Sequence, residues 1–326
     1  MQAAGIVERF FHTGELRINY VVGPANGPPI VFIPAQGMTW EEYVLLLPML
    51  APDFQVFAVS VPGHGKSSWT PGKYTFDQLG VAMSAFLHEV VGGPAIVGGN
   101  SSGGVLTMWL AANAPELVTA SIIEDAPFFR AEWPAIKTQV VYDVFLGLAQ
   151  TAIPGSGGFS KFFVDTLVPM TQQLDSMSDM TPPPKPILRL AAAWMILHQS
   201  ARPGTPIDLP FLPIPARILL RGFSHFDGNF SRAFIDGTAG AGFDHATALA
   251  RITQPMLFLH ANWSIADDGR LVGALTDDDV ARVKSLVPAR FDYVRLSSGH
   301  FIPLEKPELE NIEIRRFLDQ QATPSR

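Results

Sequence analysis

The stretch IVGGNSSGGVLTMWLAANAP sets a Gly-x-Ser-x-Gly signature between a strand pattern and a helix pattern, and it constrains the fold more than any other part of the chain. Pro94 to Gly98 form a short apolar run ahead of Gly99, Asn100, Ser101, Ser102, Gly103 and Gly104, after which Val105, Met108, Trp109 and Ala112 recur at helical spacing. A strand-turn-helix corner of this kind is a nucleophile elbow, with Ser101 on the sharp turn. The glycines on either side remove the Cβ atoms that would clash in the strained backbone. A serine hydroxyl is a poor nucleophile near neutral pH. It needs a base, an acid to orient that base, and donors for an oxyanion.

The segments around the elbow alternate between strand and helix. ELRINYVV, PPIVFIPA and FQVFAVSV read as strands, with a helix from about Trp40 to Leu50 and another from about Phe76 to Val91. After the elbow helix, TASIIEDAPF is a further strand carrying the β-branched Thr119, Ile122 and Ile123. This βαβ alternation predicts a mostly parallel sheet. It stops near Phe129. From there to Ala241 the chain holds helical segments such as AIKTQVVYDVFLGLAQTA and ILRLAAAWMILHQ, broken by PPPKP at Pro182 to Pro186 and by prolines 203, 206, 210, 213 and 215. Prolines do not fit central strands, and the aromatics and methionines give such an insertion an apolar inner face. The sheet resumes at PMLFLHA and FDYVRLS and closes with a helix from about Pro307 to Gln320. The expected organisation is an α/β core at 1–128 and 242–326, with a mainly helical cap at 129–241 inserted after the sixth strand.

Composition excludes several chemistries. Cysteine is absent, which removes disulfides, thiolate metal sites and thiol catalysis together. A net charge of -7 without a local basic cluster offers no source of phosphate-backbone affinity, so nucleic acid is not an expected partner. The 47% hydrophobic content supplies a sizeable core. No apolar run reaches the roughly 18 residues of a membrane span, and the N-terminus lacks the basic-then-apolar pattern of a secretion signal. A soluble cytoplasmic protein is expected.

Of the eight histidines, His300 alone lies just past a strand near the chain end, in LSSGHFIPLEKPE, where a loop can carry it back over the elbow. It is the candidate general base, and it follows every candidate acid, as the chain order of such a triad requires. The acid is open at this level. The turn after PMLFLHA begins with Asn262, Trp263 and Ser264, which supply no carboxylate, while Asp267 and Asp268 come later. Glu124 and Asp125, adjacent at the end of the preceding strand, point to opposite faces if still extended. They lie at the carboxyl edge, where α/β folds place ligands, and Asp125 is favoured. The backbone N–H of Ser102 and that of Gln36, in the loop after PPIVFIPA, are the candidate oxyanion donors. Gly37 lets that loop turn tightly near the substrate. VPGHGKSS is not a phosphate loop, because Ser60 occupies the position where the first glycine is required, and His64 in that turn reads as structural.

The elbow GGNSSGG, the strand end IIEDAPFF, the segment FAVSVPGHGKSSWTPGKYTFDQLG and the later LVGALTDDD together resemble bacterial zearalenone lactonases, a branch of the α/β-hydrolase fold. The likeness runs over most of the chain and is weakest in the cap. It implies hydrolysis of a macrocyclic resorcylic lactone by a Ser-His-acid triad whose acid follows the strand before the cap. By motif, those roles fall on Ser101, Asp125 and His300, and the oxyanion donors on Gln36 and Ser102. The expected protein is therefore a capped α/β-hydrolase that takes a small apolar lactone or ester, uses no cofactor or metal, touches neither nucleic acid nor membrane, and leaves a homodimer open. A carbon–carbon hydrolase, a perhydrolase or a ligand receptor with a vestigial triad are the alternatives. In the cap, Leu190, Trp194 and Leu197 share a helical face, which makes Trp194 a candidate wall for a bulky substrate, against packing within the cap.

Overall fold

The computed structural model describes residues 1–154, 158–167, 184–202 and 204–322. Pro182, Pro183 and Pro203, used above to delimit the helical insertion, lie outside the described residues.

Eight strands form the main sheet: β1 (Val7–Thr13), β2 (Leu16–Val22), β3 (Pro29–Ile33), β4 (Gln55–Ser60), β5 (Ala95–Asn100), β6 (Val118–Glu124), β7 (Met256–His260) and β10 (Phe291–Arg295). Between the last two, β8 (Ser264–Ile265) and β9 (Leu271–Val272) make a small antiparallel pair of their own. The order across the main sheet is β1-β2-β4-β3-β5-β6-β7-β10. From β4 to β10 every pairing is parallel, while β1 and β2 form an antiparallel hairpin at one edge. The sheet of an α/β-hydrolase is therefore present, with mostly parallel strands.

The central strands are apolar on both faces because helices cover both. Val31 and Ile33 point into one core with Val97, Ile123 and Phe258, while Ile30 and Phe32 point into the other with Ile96, Ile122 and Leu257. The helices Phe76–Phe86 and Ser102–Asn113 supply the first core, and Ile314 and Phe317 of the C-terminal helix Pro307–Ala322 the second. From β3 the chain passes outward to β4 and then back across β3 to β5. The loops after β3 and β5 thus leave the sheet at its switch point, where adjacent connections diverge and open a crevice. Those are the loops that carry Gln36 and Ser101.

The residues between β6 and β7 fold mainly as helices, among them Val141–Thr151, Lys185–Ala201, Ile214–Ser224, Gly228–Ile235 and His245–Arg251. No helix among the described residues is long and apolar enough to cross a membrane.

Two local expectations are corrected. The continuous helix from Trp40 to Leu50 is instead a 3-10 turn at Trp40–Tyr43 followed by a short helix at Leu47–Leu50. Pro48 lacks an N–H and fits only the first turn of a helix, so it restarts the helix rather than continuing one. β1 was absent from the segments read as strands; it lies at the sheet edge, where Val7 and Phe10 stay exposed and blur the alternation. The LVGALTDDD segment divides between β9 and the helix Asp277–Leu286, whose start is fixed by a capping box between Thr276 and Asp279.

Candidate active site

Ser101 sits where β5 ends and the elbow helix begins, with φ 54° and ψ -119°. A non-glycine residue there carries on the order of 1–3 kcal/mol of strain, which persists only if its surroundings enforce it. They do so by hydrogen bonds: the Ser101 N–H donates to Glu124 O at 2.9 Å, and the Ser101 carbonyl accepts from Val105 N–H at 3.1 Å. Close packing adds to this, since a Cβ at Gly103 would lie 2.0 Å from Ile33 O. The glycine thus lets the helix start press directly against the end of β3.

Asp125 follows the last residue of β6 and departs from extended geometry, with φ 45°. Its N–H donates to Leu259 O at 2.8 Å, its Oδ1 accepts from Ala261 N–H at 3.1 Å, and its Oδ2 lies 2.7 Å from His300 Nδ1. The carboxylate is buried, whereas about a third of the His300 side chain is exposed. An acceptor at Nδ1 fixes the tautomer that leaves Nε2 free to take a proton. The Ser101 hydroxyl makes no hydrogen bond among the described residues.

The rival acids lie elsewhere. Asp268 is in the exposed turn between β8 and β9, paired with Arg270 at 2.7 Å, and Asp267 precedes it there. Glu124, the last residue of β6, points to the side of the sheet that carries Tyr43. Its Oε2 accepts from the Tyr43 hydroxyl at 2.9 Å, in a fully buried cluster with Glu42 and Glu310. Burial, and then repulsion from Glu310, hold the Glu124 carboxyl well above its usual range. Burial pushes Glu310 up to about 8.

In the loop after β3, Ala35 N–H donates to Glu42 Oε2 at 2.8 Å and Gly37 N–H to His64 Nε2 at 3.0 Å. Between these two tied groups the N–H of Gln36, like that of Ser102, has no intramolecular partner among the described residues. The Gln36 side chain is anchored away from the backbone, donating from Nε2 to Ser231 Oγ at 2.7 Å. Burial lowers His64 to about 4, so it is neutral, and its Nδ1 at 3.2 Å from Pro62 O leaves Nε2 as the acceptor that Gly37 needs. His64 is structural, as its turn implied, but through its ring rather than the turn alone. Gly37 has φ 82°, and its missing Cβ makes room for the Phe223 ring, which a Cβ would meet at 2.3 Å. That close approach is to the helix Ile214–Ser224. Lys66 pairs with Glu8 and Ser67 donates to Ser60 O, so the Gly-Lys-Ser turn is committed to structure.

Trp194 lies on Lys185–Ala201, 40% exposed, and stacks on His198 with ring centroids 4.8 Å apart. Leu190 and Leu197 are still more exposed, and the buried face of the helix is Ala191, Ala192 and Met195. The stripe shares one face as its spacing predicts, but that face is not the packed interior of the insertion. Asn100, Glu42, Ser231 and Glu310 escaped the sequence reading as site components, because their partners lie far away in the chain and no local pattern marks them. No group of three or more His, Asp or Glu side chains among the described residues could hold a metal ion.

A family profile described as alpha/beta hydrolase family matches residues 30–310. Lipase LipV of Mycobacterium tuberculosis is 33% identical over 103 residues, covering 32% of this chain and 38% of the lipase. 3-Oxoadipate enol-lactonase 2 of Acinetobacter baylyi is 28% identical over 142 residues, covering 42% of this chain and 53% of that enzyme. The chain thus spans about a third to a half of the length of these curated relatives. The crystal structure of the enol-lactonase from Burkholderia xenovorans LB400 superposes with a TM-score of 0.64 at 17% identity, over 95% of this chain and all of that one, a likeness of fold. The chain belongs to the alpha/beta hydrolase family.

Proposed function

We propose that this member of the alpha/beta hydrolase family is a serine hydrolase that opens a lactone or related carboxylic ester, with a resorcylic macrolactone such as zearalenone as substrate. The observation that carries the reading is the buried Asp125 carboxylate bonded to His300 Nδ1 in the loop that returns toward the strained Ser101. The resemblance of GGNSSGG and EDAPFF to zearalenone lactonases supports the substrate, and the lipase and enol-lactonase relatives support a carboxylic ester carbonyl.

His300 Nε2 takes the proton from Ser101, whose Oγ attacks the lactone carbonyl. The oxyanion is received by the Gln36 and Ser102 N–H groups, which have no intramolecular partner among the described residues and so are free to donate as charge develops. His300 passes its proton to the leaving alkoxide, and a water activated by the same ring releases the acid and restores Ser101. In a lactone the leaving alcohol stays tethered to the acyl group, so re-closure competes with hydrolysis. A cap that carries the hydroxyl away from the carbonyl commits the reaction. We assign this role to residues 129–241, over a core of 1–128 and 242–326. The Gln36–Ser231 bond and the double contact of Arg221 with Glu41 support that seat beside the oxyanion loop.

Incubation with zearalenone, followed by mass spectrometry, tests the reading. A product heavier by one water, absent with Ser101→Ala, is expected. Hydrolysis of aryl esters with the macrolactone recovered intact would reject the substrate and keep the chemistry.

A further inference from the structure

We infer that Asn100 is a positioning residue that locks the loops of nucleophile, acid and base to one another, an inference resting on the triad of Ser101, Asp125 and His300. Asn100 ends β5 and is fully buried. Its Nδ2 donates to Glu124 O at 3.0 Å and to His300 O at 2.9 Å. One side chain thus joins the residue before the nucleophile to the peptide before the acid and to the carbonyl of the base.

The need for such a tie follows from the sheet order. His300 starts from β10, three strand intervals from β5, which is about 14 Å at ordinary strand spacing. The five residues from Arg295 to His300 span at most about 17 Å when fully extended. The loop is therefore short for that crossing, and backbone contacts run along it past the end of β7: Leu296 N–H donates to His260 O and Asn262 N–H to Ser298 O. Gly299 N–H is held by Glu305 Oε2 at 3.0 Å. The bond from Asn100 ties the His300 backbone to the nucleophile strand.

The chemistry of the site selects an amide. Both partners are carbonyls and only accept, so the two N–H groups of Nδ2 must face them, and Oδ1 turns away, where it has no partner among the described residues. Glu124 O also accepts the Ser101 N–H, so the same carbonyl anchors the elbow and the Asn100 side chain. An aspartate of the same shape offers no donor when ionised. A leucine offers none at any pH.

The test compares Asn100→Asp and Asn100→Ser with the wild type on an aryl ester, at a temperature where melting curves show each protein folded. Asn100→Asp should lower kcat about 100-fold with KM within about threefold, the size expected when reacting groups are misplaced by about 1 Å. Its deficit should shrink from about pH 8 to about pH 5 as the carboxyl gains a proton and recovers one donor. Asn100→Ser, with one shorter donor, should fall between the two. Wild-type kcat in Asn100→Asp, or a loss that only follows the folded fraction and does not change with pH, overturns the inference while leaving the triad intact. Turnover that survives Ser101→Ala overturns the triad, and this inference with it.

Discussion

His300 Nδ1 lies 2.7 Å from Asp125 Oδ2, across 175 positions of sequence. Asp125 is held rigidly, because its Oδ1 accepts a backbone N–H from Ala261 and its own N–H is spent on Leu259. His300 reaches it on the loop that follows β10. A buried carboxylate with both oxygens engaged stabilises the imidazolium that would form when Ser101 loses its proton.

Replacing Ser101 by Ala should lower turnover by on the order of 10⁴-fold or more while the melting temperature stays near wild type, as loss of a triad nucleophile does. A fluorophosphonate should label the wild type at Ser101. Label on Ser102, or near-normal turnover in the variant, would reject Ser101 as the nucleophile.

Asp125→Asn should preserve the fold and cost roughly 10⁴-fold in kcat. With Oδ1 still accepting from Ala261 N–H, the amide presents N–H groups to His300 Nδ1, and the ring then carries its proton on Nε2, where the base must be vacant. Asn substitutions at Asp267 and Asp268, in their exposed turn, should leave kcat within about twofold. Kinetics of the three variants on one ester decide between the two positions.

The buried Glu310, beside Glu124 and Glu42, keeps its proton in the folded protein up to about pH 8, whereas in the unfolded chain it ionises near 4.5. Between these values the folded state binds more protons, so this group's contribution to stability falls as pH rises through that window and is lost above it. Glu310→Gln cannot ionise. Its melting temperature relative to wild type should climb by several degrees from about pH 5 to about pH 8, with any constant offset from the amide unchanged. A difference that is flat with pH would contradict this. His64 and His245, both lowered to about 4 by burial, act in the opposite sense below about pH 6.5 in both proteins and cancel in the difference.

Trp194→Ala should raise KM for a bulky macrolactone several-fold and leave a small acetate ester nearly unchanged, if the exposed Trp194 face meets substrate. Because Trp194 is 40% exposed, the melting temperature should hardly move. Equal losses on both esters together with a drop in melting temperature would make it a packing residue instead.

What the chain determines locally is the elbow and the sheet that presents it. Gly-x-Ser-x-Gly between an apolar run and a helical repeat is a contiguous pattern, and the strands β3 to β7 announce themselves as short apolar runs because both of their faces are buried. The edge strand β1 lacked that signal, and Pro48 split a helix that periodicity alone ran together. The missing carboxylate at Asn262 to Ser264 favours Asp125 as the acid in the sequence, with Asp267, Asp268 and its neighbour Glu124 left open. Only the tertiary structure shows that Glu124 and Asp125 part company and which of them meets His300. Glu124 stays in the strand and turns to Tyr43 on one side of the sheet, and Asp125 leaves the strand with positive φ and turns to His300 on the other. The same holds for Asn100, His64 and Ser231. Each works through a hydrogen bond to a residue whose position in the chain carries no trace of the pairing, because strand order and loop return, rather than sequence distance, decide which polar groups meet.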